Sequence, residues 1–380
     1  MRTPLPVLVG IAATAVIGLV LPFVLDRGGL ALYIDVALSA CVVVGISLLM
    51  GFAGQVSLGQ TVFFAIGGYT AAVLVLNDYT TAVPVLNGVP PALVGMVAAP
   101  VVAGVIALLL GIPLLRLHGH HLAFATIAMH LIFLVVVQQS EPLGGSVGLM
   151  GIPGLSVGPF DLAGHQSMAF VSLGVLALVM LVAHNVVASR PGRALRALAT
   201  SETAAESAGV PVGRYKLLVF ALSGAFAGLA GSVWAYYVGY LSPEMFPVSM
   251  SITFVVMAAV GGMGSIWGAL FGTVLIKVVV SSLGTLGTAS GMPDYAPAVM
   301  SYAVYGLVLV LVLLFLPHGV VPEIRDRLLP LLGPRRARPP QGGGSTPREA
   351  ESGATADSEP VTSQSGAGVQ PSGHGAPGSS

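Results

Sequence analysis

Long apolar runs separated by short polar stretches dominate this 380-residue chain. Each run is near or above the roughly 20 residues that a helix needs to span a bilayer. The runs cover residues 6–25, 30–50, 58–76, 91–112, 120–138, 167–188, 217–240, 249–283 and 295–316. The 249–283 run is too long for one pass, and its segment GGMGS, from Gly261 to Ser265, predicts a break into a helical hairpin. The pattern therefore predicts an all-α, polytopic membrane protein with about ten transmembrane or half-membrane helices.

Composition supports a membrane protein and excludes several other classes. With 55% hydrophobic and 8% charged residues and a mean hydropathy of +0.92, the chain has too little polar surface to cover a soluble globule. Its net charge is zero and its basic residues do not alternate with aromatic ones, so we expect contact with membrane lipid and none with nucleic acid. The single cysteine, Cys41, lies in an apolar run, and we interpret it as a packing residue.

Basic residues are concentrated in one polar stretch, residues 189–216, which holds five of the 15 lysines and arginines. The positive-inside rule places this loop in the cytoplasm. Alternation of the spans then places both termini there, with the basic residues Arg2, Arg116, Arg325, Arg327, Arg335, Arg336 and Arg338. Only Arg27 falls outside, and the 139–166 loop faces out with Glu141 and Asp161 but no lysine or arginine.

The composition changes near residue 333 to glycine, proline, serine, threonine and alanine. A segment of this kind cannot bury a core. We therefore divide the chain into a transmembrane domain, residues 1–332, which includes the cytoplasmic loop 189–216, and a disordered cytoplasmic tail, residues 333–380.

The basic loop carries the sequence signals of a short helix. Thr203 and Glu206 have the spacing of a capping box, alanines follow, and Gly209 ends the segment after about two turns. The small alanine face would let another protein approach closely, and Glu202 and Glu206 could meet basic residues on that protein. The alternative is an amphipathic segment that lies on the membrane surface and is held there by the arginines of the loop.

The chain shows no sequence pattern for catalysis. Neither of its lysines, Lys216 and Lys277, follows a glycine-rich turn, so a P-loop for ATP is excluded. An HExxH pair, a cysteine cluster and a GxSxG elbow are also missing from the sequence, so we expect neither an enzyme nor a bound cofactor. Energy from ATP would have to come from another polypeptide.

Isolated titratable residues within the apolar runs have ordinary interpretations. Four histidines lack the carboxylate or thiolate neighbours of a metal site, and we interpret them as interfacial residues: His118, His120, His121 and His130. Lys277 stands in the second half of the 249–283 run, and we expect it to extend towards the outer interface. The alternative for Lys277 is an acidic partner such as Glu244 or Asp294.

Uncharged polar side chains stand beside an apolar span in the segment GQVSLGQT: Gln55, Ser57, Gln60 and Thr61. Polar groups inside a membrane bundle are costly unless they are hydrogen-bonded or hydrated, so these four are candidates for lining a transport path. The alternative is hydrogen bonding between helices. Further along, Gly224, Gly228 and Gly231 have a helical spacing that allows close helix packing.

The basic loop also carries a family resemblance. The run GRALRALATSETAAESAGVPVGRYKLLVFALSGAFAGLAG resembles the cytoplasmic loop and following span of branched-chain amino acid ABC importer permeases of the LivM type. Similar stretches are GFAGQVSLGQTVFFAIGGYTAA at 51–72, LRLHGHHLAFATIA at 115–128 and SPEMFPVSMSITFVVMAAVGGMGSIWGALFG at 242–272. The family commonly has histidine at the position of Gln60. The resemblance implies that the loop contains a coupling helix that sits in a cleft of an ATPase, with the site residues Glu202, Ala205, Glu206, Ala208 and Gly209.

The resemblance implies an importer in the bacterial plasma membrane with two ATPase subunits, a second and different permease subunit and an external substrate-binding protein. On that basis we expect this chain to form the path for leucine, isoleucine and valine. No charged pair is evident deep in the candidate path, so we expect the external receptor to select the substrate. The alternatives are the same importer type carrying urea or short-chain amides, an ion-gradient transporter that uses Asp35 or His130, and a membrane scaffold.

Overall fold

The computed structural model describes residues 18–77, 90–117, 119–157, 160–287 and 306–307. Its helices are α1 Arg27–Ala53, α2 Gln60–Leu76, α3 Pro91–Leu114, α4 His120–Gln139, α5 His165–Ala188, α6 Arg190–Thr200, α7 Glu202–Ser207, α8 Val212–Val238, α9 Val248–Gly261 and α10 Ile266–Gly287. A further helical stretch covers 18–24. Short strands are β1 Leu149–Met150, β2 Ser156–Val157, β3 Phe160–Asp161 and β4 Tyr240–Leu241.

The observed helices coincide with the predicted apolar runs. In the described part of the chain, six helices are long and apolar enough to cross a membrane: α1, α3, α4, α5, α8 and the stretch Pro243–Gly261, which contains α9. Two shorter apolar helices are α2 and the Ile266–Ser282 part of α10. The predicted runs at 6–25 and 295–316 lie largely outside the described residues, and the predicted tail 333–380 lies wholly outside them. The count of about ten helices therefore stays a prediction.

The long apolar run from 249 to 283 is broken into α9 and α10, as its glycines predicted. Gly262, just after α9, has a φ of 103°, a backbone conformation that residues with a Cβ rarely adopt. Beyond the turn the two helices run antiparallel, with Gly261 against the backbone of Gly268 and Gly272 against that of Met257. The predicted helical hairpin is confirmed.

The bundle is built around α8, which packs against α1, α2 and α3. α3 contributes small buried residues at a spacing of four: Gly95, Ala99, Ala103, Ala107 and Gly111. Gly224 and Gly228 of α8 lie against this stripe, and Gly231 lies against the backbone of α2. Because lipid tails are as apolar as the side chains they meet, close packing of small residues is a main source of helix association in a membrane. The prediction made for the three glycines is confirmed.

α1 is the most enclosed of the candidate spans among the described residues. Cys41 lies in its middle, fully buried, and its Sγ donates a hydrogen bond to the carbonyl oxygen of Ala37 at 3.3 Å. This is the environment of a small packing residue, as we inferred from the sequence.

The all-α expectation needs one correction, because short antiparallel strand pairs form between the helices. β1 pairs with β4, with Leu149 opposite Leu241, and β2 pairs with β3, with Ser156 opposite Asp161. The first pair joins the segment after α4 to the segment after α8, so these two helices end on the same side of the bundle. We call this side the strand end and the side that carries α6 and α7 the basic-loop end.

Candidate coupling and translocation sites

The short helix predicted in the basic loop exists as α7, but its cap differs from the prediction. Ser201, not Thr203, precedes the helix, and the Ser201 hydroxyl accepts a hydrogen bond from the Ala204 backbone N–H at 3.3 Å. Thr203 lies inside the first turn, where its hydroxyl is 3.1 Å from that of Ser201. The residue three positions after Ser201 is Ala204, so Glu206 cannot complete a capping box.

The end of α7 agrees with the sequence prediction. Gly209 has a φ of 77°, the left-handed conformation expected of a glycine after a helix. Its backbone N–H donates to the Glu206 carbonyl oxygen at 2.9 Å, and the Val210 N–H donates to the Ala205 carbonyl oxygen at 3.0 Å. The helix is therefore closed at both ends although it has only six residues.

A small apolar cluster fixes α7 against its neighbours. It consists of Leu198 from α6, Ala205 from α7 and Val212 from α8, with Val210 packed against it. Of the residues expected to face a partner, Ala205 is thus buried within its own chain, whereas Glu206, Ala208 and Gly209 are exposed. We call α6, α7 and the start of α8, residues 190–216, the elbow.

An ion pair also fastens the elbow, and sequence analysis did not find it. The Lys216 Nζ lies 2.6 Å from the Glu202 Oε1, with the lysine side chain 13% exposed and the glutamate side chain 43% exposed. Glu202 is therefore paired within its own chain while part of its side chain stays exposed, and its contact with a partner stays a prediction. The two residues are 14 positions apart, on α7 and α8. Their contact depends on how the chain turns between these helices, which the sequence pattern does not predict.

The four polar residues proposed for the path are all buried. They lie where α1 ends and α2 begins, with Gln55 and Ser57 buried in the connecting segment and Gln60 and Thr61 in the first turn of α2. The segment is not at an end of the bundle, because the Leu58 N–H donates at 3.0 Å to Thr126, which is about 9 Å along α4.

Some polar groups of this cluster are hydrogen-bonded between helices. The Ser251 hydroxyl of α9 accepts from the Thr61 N–H at 3.2 Å and donates to the Thr61 Oγ1 at 2.7 Å. The Gln60 Nε2 lies 3.5 Å from the Ser57 hydroxyl. The amide oxygens of Gln55 and Gln60 remain buried without a hydrogen-bond partner. The cluster therefore combines helix-to-helix hydrogen bonds with acceptors available to a water or a substrate.

His130 needs a correction, because it is fully buried and not interfacial. Its Nε2 lies 2.9 Å from the carbonyl oxygen of Phe246, so the ring donates to the backbone just before α9. Its Nδ1 has no partner. His120 and His121 are exposed at the start of α4, and His118 lies outside the described residues. Among the described residues no group of metal-ligating side chains assembles.

Lys277 has a partner that sequence analysis did not assign to it. Its Nζ lies 2.6 Å from the Oδ2 of Asp35, so α10 and α1 are joined by an ion pair. Glu244, one of the partners considered, is exposed elsewhere, and Asp294, the other, lies outside the described residues. The sequence does contain a signal for this pair, because Asp35 and Lys277 are isolated residues of opposite charge in two apolar runs. The pair is a charged pair within the spans, but it is not among the residues proposed for the path, so the expectation about the path stays a prediction.

A cavity of about 770 Å³ lies apart from both polar sites. It is lined by residues of the 18–24 stretch, of α1, α5 and α10, and of the turn before α10. Nearly all of them are apolar, including Phe52, Met180 and Trp267. None of the four buried polar residues contributes to its wall. The four polar residues are at most 4% exposed, so the polar cluster is closed in this conformation.

The comparisons with known proteins agree on one family. The family model described as "Branched-chain amino acid transport system / permease component" matches residues 28–313. The high-affinity branched-chain amino acid transport system permease protein LivM of Salmonella typhimurium is 30% identical over 340 residues, which cover 83% of this chain and 75% of the relative. LivM of Escherichia coli is 29% identical over 346 residues, 84% of this chain and 76% of the relative.

A second kind of permease is also similar. The probable branched-chain amino acid transport permease protein LivH of Methanocaldococcus jannaschii is 30% identical over 210 residues, which cover 52% of this chain and 63% of the relative. No solved structure matches the chain significantly.

Proposed function

This chain belongs to the family of branched-chain amino acid transport system permease components, and we propose on that premise that it is the LivM-type permease subunit of an ATP-binding cassette importer. It forms part of the translocation path for branched-chain amino acids that an external substrate-binding protein delivers. Its relatives are transport permeases and not enzymes.

The elbow is the observation that carries the ATP-driven mechanism. A six-residue helix is too short to be stable alone, yet α7 is capped, closed by Gly209, packed on its own apolar cluster and tied to α8. The residues left exposed are small, polar or acidic, namely Thr203, Ala204, Glu206, Ser207, Ala208 and Gly209. This is the form expected of a coupling helix that fits into a cleft of an ATPase subunit. The absence of a P-loop from the sequence assigns ATP hydrolysis to that partner.

The proposed assembly has this chain, a second and different permease, two cytoplasmic ATPase subunits and an external receptor. Similarity to both LivM and LivH supports a pair of related but distinct permeases. The basic-loop end faces the cytoplasm, in accordance with the positive-inside rule, so both termini are cytoplasmic and the strand end faces the receptor.

The buried polar cluster at Gln55, Ser57, Gln60 and Thr61 is the candidate lining of the path. The free amide oxygens of Gln55 and Gln60 are acceptors that a buried site rarely leaves unused. Their enclosure in this conformation fits a permease that exposes its path only during part of the transport cycle.

Two other functions make different demands on the structure. A proton- or sodium-coupled transporter needs a titratable group free to take and release the ion. Asp35 is held by Lys277, and His130 is bound to Phe246 through one ring nitrogen, which disfavours that function. A scaffold would not need the buried free acceptors. An importer of urea or short-chain amides differs only in its cargo.

Reconstitution separates these possibilities. The permease pair, with its ATPases in vesicles, should take up leucine only when the receptor and ATP are both present. Uptake driven by a proton or sodium gradient without ATP would establish the secondary transporter. A complete assembly that carries urea or an amide but no leucine would establish an importer of those solutes. An assembly that carries none of them would favour the scaffold function.

A further inference from the structure

We propose that Asp35 and Lys277 form a recognition point for a zwitterionic amino acid near the outer mouth of the path. The inference rests on the proposed importer function and on its orientation. The ion pair opens when the substrate arrives, the substrate ammonium group pairs with Asp35, and the substrate carboxylate pairs with Lys277.

The position of the pair fits such a site. Asp35 is about 12 Å from the start of α1, a helix of 27 residues and therefore about 40 Å long, roughly 10 Å longer than the hydrocarbon core. Tyr237, which is one residue from the end of α8, lies near this carboxylate. The Tyr237 ring in turn contacts the His165 ring at the start of α5, at 5.8 Å between ring centres. The pair therefore lies just inside the strand end.

The two side chains of the ion pair are unequally exposed, and the more exposed one is the carboxylate that would bind the ammonium group of a ligand. The Asp35 side chain is 41% exposed and the Lys277 side chain 17%. Exposing so much of a carboxylate to hydrocarbon is costly, so we expect polar surroundings on its open side. The carboxylate is thus the member that an incoming ammonium group meets first.

The chemistry of the exchange favours a zwitterion over a neutral solute. An amino acid carries its ammonium and carboxylate groups on one carbon, so opening one ion pair allows two new ones to form. Urea or an amide offers no formal charge, and its entry would leave Asp35 and Lys277 unpaired, which is costly within a membrane. Val274 lies one turn from Lys277 on α10 and is 39% exposed, which gives an aliphatic side chain an apolar surface.

The test uses the complete importer in vesicles with the receptor saturated with leucine. The double variant Asp35→Asn with Lys277→Met removes both charges at once, so neither is left unpaired. We expect leucine uptake per ATP hydrolysed to fall about tenfold or more while receptor-stimulated ATP hydrolysis stays within about twofold. The matched control is Asp26→Asn, which removes a carboxylate at the same end of α1 but retains a good helix cap. This control should behave like the parent.

A second variant distinguishes recognition of the substrate from a purely structural role in which the ion pair holds α1 and α10 together. Asp35→Lys with Lys277→Asp keeps an ion pair between α1 and α10 but reverses its direction, so the assembly should form and uptake should still fall. Parental uptake by either double variant overturns the inference and leaves the importer function intact. If the parent importer itself shows no ATP-driven leucine uptake, the proposed function fails and this inference fails with it.

Discussion

The ion pair between Glu202 and Lys216 should control how firmly α7, the proposed coupling helix, is held, and its removal is the sharpest test of the elbow. Lys216→Met keeps the length and apolar stem of the side chain and removes its charge. Glu202→Gln does the same for the acidic partner. Lys216→Met perturbs the position of α7 without altering any residue expected to contact an ATPase, whereas Glu202→Gln changes one of those residues as well.

The expected magnitude follows from the exposure of the two side chains. Fully exposed ion pairs contribute about 0.2–1 kcal/mol, and breaking a buried pair costs about 3–5 kcal/mol. With Lys216 13% exposed and Glu202 43% exposed, this pair lies between the two limits. We expect a contribution of about 1–2 kcal/mol, which changes the population of detached α7 about 5- to 30-fold.

Hydrogen exchange reports that population directly. In Lys216→Met, the backbone amides of α7 that are bonded at its end, including those of Gly209 and Val210, should exchange about 5- to 30-fold faster. Leucine uptake per ATP should fall in parallel. Arg193→Met is the matched control, because it removes an exposed charge from α6 and should change neither quantity.

The reasoning would be refuted by a double-mutant cycle. If Lys216→Met, Glu202→Gln and the combined variant give a coupling energy below about 0.3 kcal/mol, the two side chains act independently and the pair does not position α7. Unchanged exchange of the α7 amides would lead to the same conclusion.

Three further predictions test the closure of α7, the orientation and the packing of the bundle. Gly209→Leu places a side chain at a φ of 77° and should cost about 1–3 kcal/mol locally, so uptake should be lost while membrane insertion, measured by protease protection, is retained. A cysteine at Ala204 should react only with reagents that reach the cytoplasm, and one at Ser156 only with impermeant external reagents; the reverse pattern would overturn the orientation. Gly228→Ala should lower the thermal stability of the permease because its Cβ would meet α3, whereas Gly213→Ala, at an exposed position of α8 with open space, should leave stability unchanged or raise it by up to about 1 kcal/mol.

Features that depend on neighbouring residues were predictable from the sequence. The apolar runs gave the spans because a bilayer requires about 20 apolar residues in succession. The glycines after α7 and α9 gave the ends of those helices because few other residues tolerate a positive φ. The cap of α7 was harder to predict from the sequence, since Ser201 and Thr203 are both good capping residues. The choice between them depends on where α6 ends, which is at Thr200.

Contacts between distant residues were not predictable. Asp35 and Lys277 are 242 positions apart, and Thr61 and Ser251 are 190 apart. A single sequence shows that such residues are polar in apolar surroundings, but it does not show which helices adjoin. For His130 the missing fact was the path of the chain before α9, which brings the Phe246 carbonyl oxygen to the ring. The burial of the four path residues depends in the same way on α4 and α9.

α8 connects the two proposed sites within one continuous helix. It begins at Val212 in the apolar cluster of the elbow and carries Lys216 within its first turns. Tyr237, about 38 Å from Val212 along the helix, lies near Asp35. Between these points, Gly224 and Gly228 bring its backbone against α3 and α2 so closely that sliding would drive backbone atoms into one another. A displacement of the elbow is therefore more readily accommodated as a tilt of α8 together with the helices packed on it. A tilt of this kind would move Tyr237 relative to Asp35, so the Asp35–Lys277 pair is placed where the proposed ATP-driven motion at the basic-loop end would alter it.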